Sequence, residues 1–548
     1  MQQFIEIYGF LSVILRGSIS GALSLAVGGV AFLLLIAEPL EPRLGAAAKP
    51  IAARAGRIVF WSAIALACLV SLDAAALATM LVGALELSFA DALTADAVKA
   101  DALAAAPALA LAFAIRGGVA QPLPLAAFAA ALICARLGAT HAVSRLDNPP
   151  GLVAAELAHL TGVALWIGGI PYFLMALARA SDGEAQRAIG LRFSHLSTVA
   201  VAMIAAGGVA MSIVYIGAVE NFYGAAYGVM VGAKTILFAG LLSLGALNFL
   251  AVRRSPADRD AFARLRRFAE VEIGVGWTVV FAAASLSSLP PAVDLARDRV
   301  SFAEIVERLT PQWPPRLESP DHSTLSVSLP PVQTARADET SSTEASDAVT
   351  ASIAAQRNAE DIAWSEYNHH IAGLFVAAMG LLALLEHWRR LAPLARHWPM
   401  LMLGLAGFLF LRADEAVWPL GQLGLIESLR DPEIAQHRIF LALIIGFGIF
   451  EWRVRTRRVK AQWAPLAFPF ITGVGGALLL AHSHGLSNIR EEFLIEVTHT
   501  PLALVGLLAS SARWLEIRLD GRGARIAGIV WPIAFTLAGL MLLAYREA

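Results

Sequence analysis

Apolar runs and short polar connectors alternate along nearly the whole chain, and the length of the runs sets the first expectation. A helix needs about 20 predominantly apolar residues to cross the hydrocarbon core of a bilayer. Fourteen stretches approach that length: 9–37, 57–82, 101–115, 122–139, 151–178, 195–218, 226–250, 268–289, 370–388, 399–417, 437–452, 465–482, 490–512 and 526–544. The third is short and alanine-rich. The pattern predicts an all-α polytopic membrane protein with about 14 transmembrane helices.

The connectors between the runs differ in charge. Alternate ones hold most of the 42 Lys and Arg, from Arg43, Lys49, Arg54 and Arg57 in the first to Arg513, Arg518, Arg522 and Arg525 in the last. Those between them are poor in basic residues: ELSFADALTADAVKAD at 86–101 sets Glu86, Asp91, Asp96 and Asp101 against Lys99 alone. Short cytoplasmic loops carry the excess of Lys and Arg, so both termini are expected on the opposite, outer side. The first residues lack the basic region and cleavage site of a secretory signal and read as the first span.

Composition agrees: 57% of residues are hydrophobic, 16% are charged, and the mean hydropathy is +0.65. The surrounding partner is membrane lipid. A net charge of -1, with basic connectors already explained by orientation, gives no reason to expect a nucleic acid partner. Cys68 and Cys134 stand singly inside apolar runs, which argues against a thiolate metal site or a disulfide.

The periodicity fails over residues 291–365, which are rich in Pro, Ser and Thr. This stretch reads as an outer linker, disordered in its second half, between an eight-helix domain at 1–290 and a six-helix domain at 366–548. SFAEIVERL at 301–309 suggests a short amphipathic helix inside it.

Ionisable groups inside a span are costly and mark a pathway, a pair or a site. In the first half these are Arg16, Asp73, Glu156, His159 and Lys234, all in the outer part of their spans, where they can share one polar pocket. Glu156 and His159 lie three apart on one helix face. The plainer reading pairs Arg16 with Asp73 and Glu156 with Lys234 as ionic contacts between helices.

AELAHLTGVALWIGGIPYFL at 155–174, RFSHLSTVAVAMIAAGGVAMSIVYIG at 192–217 and YGVMVGAKTILFAGLLSLGALN at 227–248 resemble three consecutive helices of the copper resistance protein D (CopD) family. The likeness covers roughly 150–290. It implies a bacterial inner-membrane protein handling copper, as Cu(I) or Cu(II), often beside a small periplasmic copper-binding protein. It also implicates His159, Trp166, Gly168, Gly169, Tyr227 and Lys234. The first run lacks the histidine that family members often carry there.

Chemistry is denser after the linker. Glu366, His369, His370, Asp414, Glu415, His437, His482, His484, Glu491, Glu492 and His499 fall at the ends of five consecutive runs, always on the outer side. Asn488, Glu492, Glu496 and His499 form one stripe descending a single helix, and a stripe facing lipid would cost several kcal/mol, so it faces the bundle interior. Neutral imidazole and carboxylate are standard donors to transition metals. The expected site therefore comprises His437, His482, His484, His499, Glu492, Glu496, His369, His370, Asp414 and Glu415. His387 and His397 lie at the opposite ends and are expected to be solvated.

The plainer reading is a hydrogen-bonded outer vestibule, since histidines at helix ends are often ordinary interface residues, and three functions compete with it. One is a transporter or metal-binding membrane protein, not an enzyme, with copper at this outer cluster. Another is a redox protein holding haem b between two histidines. A metal-dependent hydrolase using Glu492 or Glu496 as base has no His-Glu-x-x-His motif to support it. No Walker A motif occurs, so transport driven by ATP has no basis in the sequence.

Overall fold

The computed structural model describes residues 2–85, 87–116, 121–138, 140, 149–180, 182–254, 259–295, 299–311, 313–321, 325, 359–412, 414, 417–421, 423–429, 432–481 and 489–547. His322, Glu415, His482 and His484, together with the linker stretch expected to be disordered, lie outside these residues.

Among the described residues sixteen helices have eight residues or more. The first nine are α1 (Gln2–Phe32), α2 (Ala48–Leu85), α3 (Asp96–Arg116), α4 (Pro122–Leu137), α5 (Pro149–Trp166), α6 (Ile170–Leu177), α7 (Gly183–Ile216), α8 (Ala226–Arg254) and α9 (Arg259–Leu286). Then follow α10 (Phe302–Leu309), α11 (Ala359–Leu385), α12 (Leu401–Arg412), α13 (Pro432–Arg455), α14 (Ala467–Ala481), α15 (Ile489–Arg518) and α16 (Gly521–Leu543). The one β-type pairing described is an isolated bridge, Val417 to Leu423. The protein is an all-α polytopic membrane protein, with ten described helical segments long and apolar enough to cross a bilayer.

The chain divides into two compact units, Met1–Arg299 with Ala477–Ser483, and Val300–Gly476 with His484–Ala548. In the first, α1 and α3 pack on α2, α5 packs along α7, and α8 pairs with α9. The α1–α5 contact depends on glycine. A Cβ on Gly168 would fall 1.9 Å from the Ser24 carbonyl oxygen, and one on Gly28 would fall 2.4 Å from that of Ala164. The Trp166-Ile167-Gly168-Gly169 turn between α5 and α6 is thus glycine-rich because backbone meets backbone there.

In the second unit α11 packs along α16, and α16 also packs on α15. Trp398, Phe468 and Trp531 form its aromatic core. The short helix expected near 301–309 forms as α10, and its start is fixed by a capping box in which Ser301 and Glu304 each bond the other's backbone. At the basic end, Arg455 is ion-paired with Glu451 at 2.8 Å and stacks between Trp398 and Trp531. His397 is not simply solvated there, because its Nδ1 accepts from Trp452 Nε1 at 2.9 Å.

Candidate functional site

In the second unit, helix ends bring predicted residues around one cavity of about 430 Å³, lined by Ser365, Asn368, His369, Asp414, His437 and Arg438 among others. His369 comes from the third turn of α11, Asp414 follows the last residues of α12, and His437 lies in the second turn of α13. Antiparallel neighbours put these three ends on one side, as the alternation of connectors required.

The imidazoles are fixed by their Nδ1 atoms. His369 Nδ1 lies 2.8 Å from the Ser365 carbonyl oxygen, which can only accept, so this nitrogen carries the proton. His437 Nδ1 lies 2.5 Å from Asp414 Oδ1. In the neutral tautomer that each contact selects, the lone pair resides on Nε2, the arrangement in which an outer partner orients a metal-binding histidine. Asp414 Oδ1 is taken up by His437, while Oδ2 has Arg438 Nη2 at 3.4 Å, an ion-pair distance without a hydrogen bond. That makes it an orienting group more than a direct ligand. Asn368 Nδ2 and Arg438 Nη1 donate to the carbonyls of Arg412 and Phe410, covering the open end of α12.

His499 lies on α15, and its ring centre is 6.1 Å from that of His369. The two rings meet nearly edge to face, with planes inclined by 85°. Tyr545, just beyond α16, stacks on His369 with ring centres 3.9 Å apart. The last residues of the chain support this contact. Glu547 accepts from the Ser365 hydroxyl and sits 3.9 Å from Arg308 of α10. Burial pushes the Glu547 carboxyl up, but the Ser365 hydroxyl, His369, the Tyr545 hydroxyl and Arg308 outweigh it and hold the group below the usual range. Burial raises the Tyr545 phenol.

The remaining predicted residues are placed differently. His370 is buried, with Nδ1 3.1 Å from the Arg316 carbonyl oxygen and Nε2 2.7 Å from that of Tyr545. It ties segments together and presents neither nitrogen to the cavity. Glu366 is buried as well and pairs with Arg316 at 3.3 Å. Glu496 precedes His499 by three residues on α15, whereas the Glu491 and Glu492 side chains lie outside what is described. Among the described residues no three His, Cys, Asp or Glu side chains converge closely enough to hold a metal ion.

In the first unit His159 Nδ1 lies 3.0 Å from the Ile204 carbonyl of α7. Glu156 is within electrostatic reach of Lys234 and Arg136, and Asp101 of Arg136, Asp73 and Arg16. The direct ion pair here is Arg136 with Asp101 at 2.6 Å, a pair that sequence reasoning passed over. Arg16 donates instead to the Ser288 hydroxyl at 3.2 Å. Arg136 thus bridges two groups of charges that had been treated as separate pairs. Its signal was one basic residue near the end of the apolar run 122–139.

Residues 187–286, from α7 through α9, match the family described as copper resistance protein D. The matched segment lies within the first unit. Tyr227 and Lys234 fall within the matched segment, while His159 and Trp166 precede it. The copper transport protein CutJ of Bacillus subtilis (strain 168) is 28% identical over 162 residues, which are 29% of this chain and 29% of that protein. The match therefore spans under a third of the relative's length. No solved structure matches significantly.

Proposed function

We propose that the protein handles copper at a membrane, binding the ion in the second unit between His369 and His437 and passing it to or through the first unit. The observation that carries this reading is that both cavity-lining histidines have Nδ1 against an oxygen, which leaves the lone pair on Nε2 in each. Imidazole suits copper, zinc, iron and nickel alike; copper is favoured because the CopD-matching segment lies in the same chain and the similar Bacillus subtilis protein is named for copper transport. His499, His482, His484, Glu415, Glu492 and Glu496 are proposed for the same site from their places in the sequence.

The reading includes a bacterial inner-membrane location with both termini periplasmic, which rests on the alternation of basic connectors. It also includes an eight-helix domain at 1–290 joined by the linker 291–365 to a six-helix domain at 366–548. A small periplasmic copper-binding protein would be the donor or acceptor at this outer face.

Copper bound per mole of purified protein, compared between wild type and the H369A/H437A variant, tests the site. Loss of one equivalent is expected, and unchanged stoichiometry would refute the assignment. The absorption spectrum of the same sample separates the alternative, since a Soret band would identify haem b.

A further inference from the structure

At the basic end of the first unit, α2 carries Arg54, Arg57, Trp61 and Ala65 three and four residues apart, so they lie one above another on a single helix face. With Ile58 of the same helix they line a cavity of about 580 Å³, together with Ala22 and Leu25 of α1 and Trp277 of α9. Guanidinium groups stand at one end of this groove, and aliphatic and indole groups make up most of the rest. Trp61 is 65% exposed, in the position of an interfacial aromatic anchor.

Elsewhere in the unit Arg136 pairs with Asp101, and Arg267 with Glu270. Arg54 and Arg57 have neither an ion pair nor a hydrogen bond among the described residues. Two adjacent guanidiniums without a carboxylate favour a phosphate, which accepts their N–H groups in pairs. From Arg54 to Ala65 is eleven residues, about 16 Å at 1.5 Å per residue, or roughly half of a 30 Å hydrocarbon core. The groove has the depth of one leaflet, with its charge at the headgroup level.

We propose that this groove is a binding site for an anionic phospholipid. Its phosphate sits between Arg54 and Arg57, and one acyl chain runs past Ile58 and Ala65 against Trp277. Trp61 lies beside the glycerol region.

The test uses the full chain in neutral detergent, titrated with phosphatidylglycerol or phosphatidylcholine and read by native mass spectrometry. Wild type is expected to retain phosphatidylglycerol in preference to phosphatidylcholine. R54Q/R57Q should weaken it about 30-fold, on about a factor of five per basic side chain near a membrane surface. R43Q/K49Q, which removes equal charge from the same connector outside the groove, should leave the preference in place. Ala65→Trp, which fills the groove and keeps both arginines, should abolish it and guards against misfolding of the arginine variant. Equal retention of the two lipids overturns the proposal. So does equal weakening by both charge variants, or displacement of the lipid by millimolar inorganic phosphate, which would mark a free-anion site.

Discussion

His369 and His370 are neighbours in sequence and both hold Tyr545, one through its ring and the other through its backbone. The His369 imidazole stacks on the phenol, with ring centres 3.9 Å apart and planes inclined by 21°, while His370 Nε2 lies 2.7 Å from the Tyr545 carbonyl oxygen. The end of the chain is thereby fastened to α11 beside the candidate copper site. Tyr545→Ala should cost about 3–5 kcal/mol, as for other buried aromatic truncations. Tyr545→Phe should cost about 1 kcal/mol, the net value of a hydroxyl hydrogen bond. Thermal unfolding in detergent would rank the two.

Glu547 gives this contact a pH dependence. Its folded carboxyl lies below its ordinary range, so the stability it contributes is complete above that range. It is lost as pH falls through the lower, folded value. Melting temperature should fall on acidification below the carboxylate range, and Glu547→Gln should be less stable at neutral pH with a flatter acid limb.

Asp414 orients His437 without being needed as a ligand. Asp414→Asn should keep the copper stoichiometry and weaken affinity by about 10- to 100-fold, the range for partners that orient metal-binding histidines. Competition with a copper chelator measures this. Loss of the bound equivalent itself would show instead that Asp414 coordinates.

The Arg136–Asp101 pair predicts an asymmetry. Asp101→Leu alone leaves a buried guanidinium without its partner and should destabilise the first unit by about 3–5 kcal/mol. Replacing both residues by leucine should be close to neutral. Chemical unfolding of the single and double variants distinguishes the outcomes.

Gly168→Ala places a methyl 1.9 Å from the Ser24 carbonyl oxygen, a clash with backbone that no rotamer relieves. The cost should be at least the roughly 1–3 kcal/mol of ordinary overpacking, seen as a lower yield of folded protein after solubilisation. Gly183→Ala, at a glycine with open space around it, serves as the neutral control.

Much of this architecture was legible in the run lengths, because a span must satisfy its own backbone and so announces itself as an uninterrupted apolar helix. The convergence of His369, Asp414 and His437 followed from parity, since alternate helix ends share a side. Less legible was the division of labour between His369 and His370. Residues adjacent on a helix point about 100° apart, and only the packed neighbours decide which one meets the cavity. Ser365, Tyr545 and Glu547 carried no sequence signal, being ordinary polar residues whose importance depends on a long-range contact between the start of α11 and the end of α16. The polar beginning of α11, from Ala359, was likewise invisible to an apolar-run criterion that started it at 370.

The glycine contacts of α5 occur on two sides. Gly28 and Gly168 join it to α1, while Gly162 and Gly207 join it to α7, where added Cβ atoms would meet the carbonyl oxygens of Ala200 and Ala155 at 2.6 Å and 2.4 Å. A helix gripped by main chain on both flanks has no side-chain rotamers with which to absorb sliding or rotation. The three helices should therefore travel as one slab, with His159 as a fixed post within it. Any rearrangement within the first unit would then come from its other helices shifting against that slab.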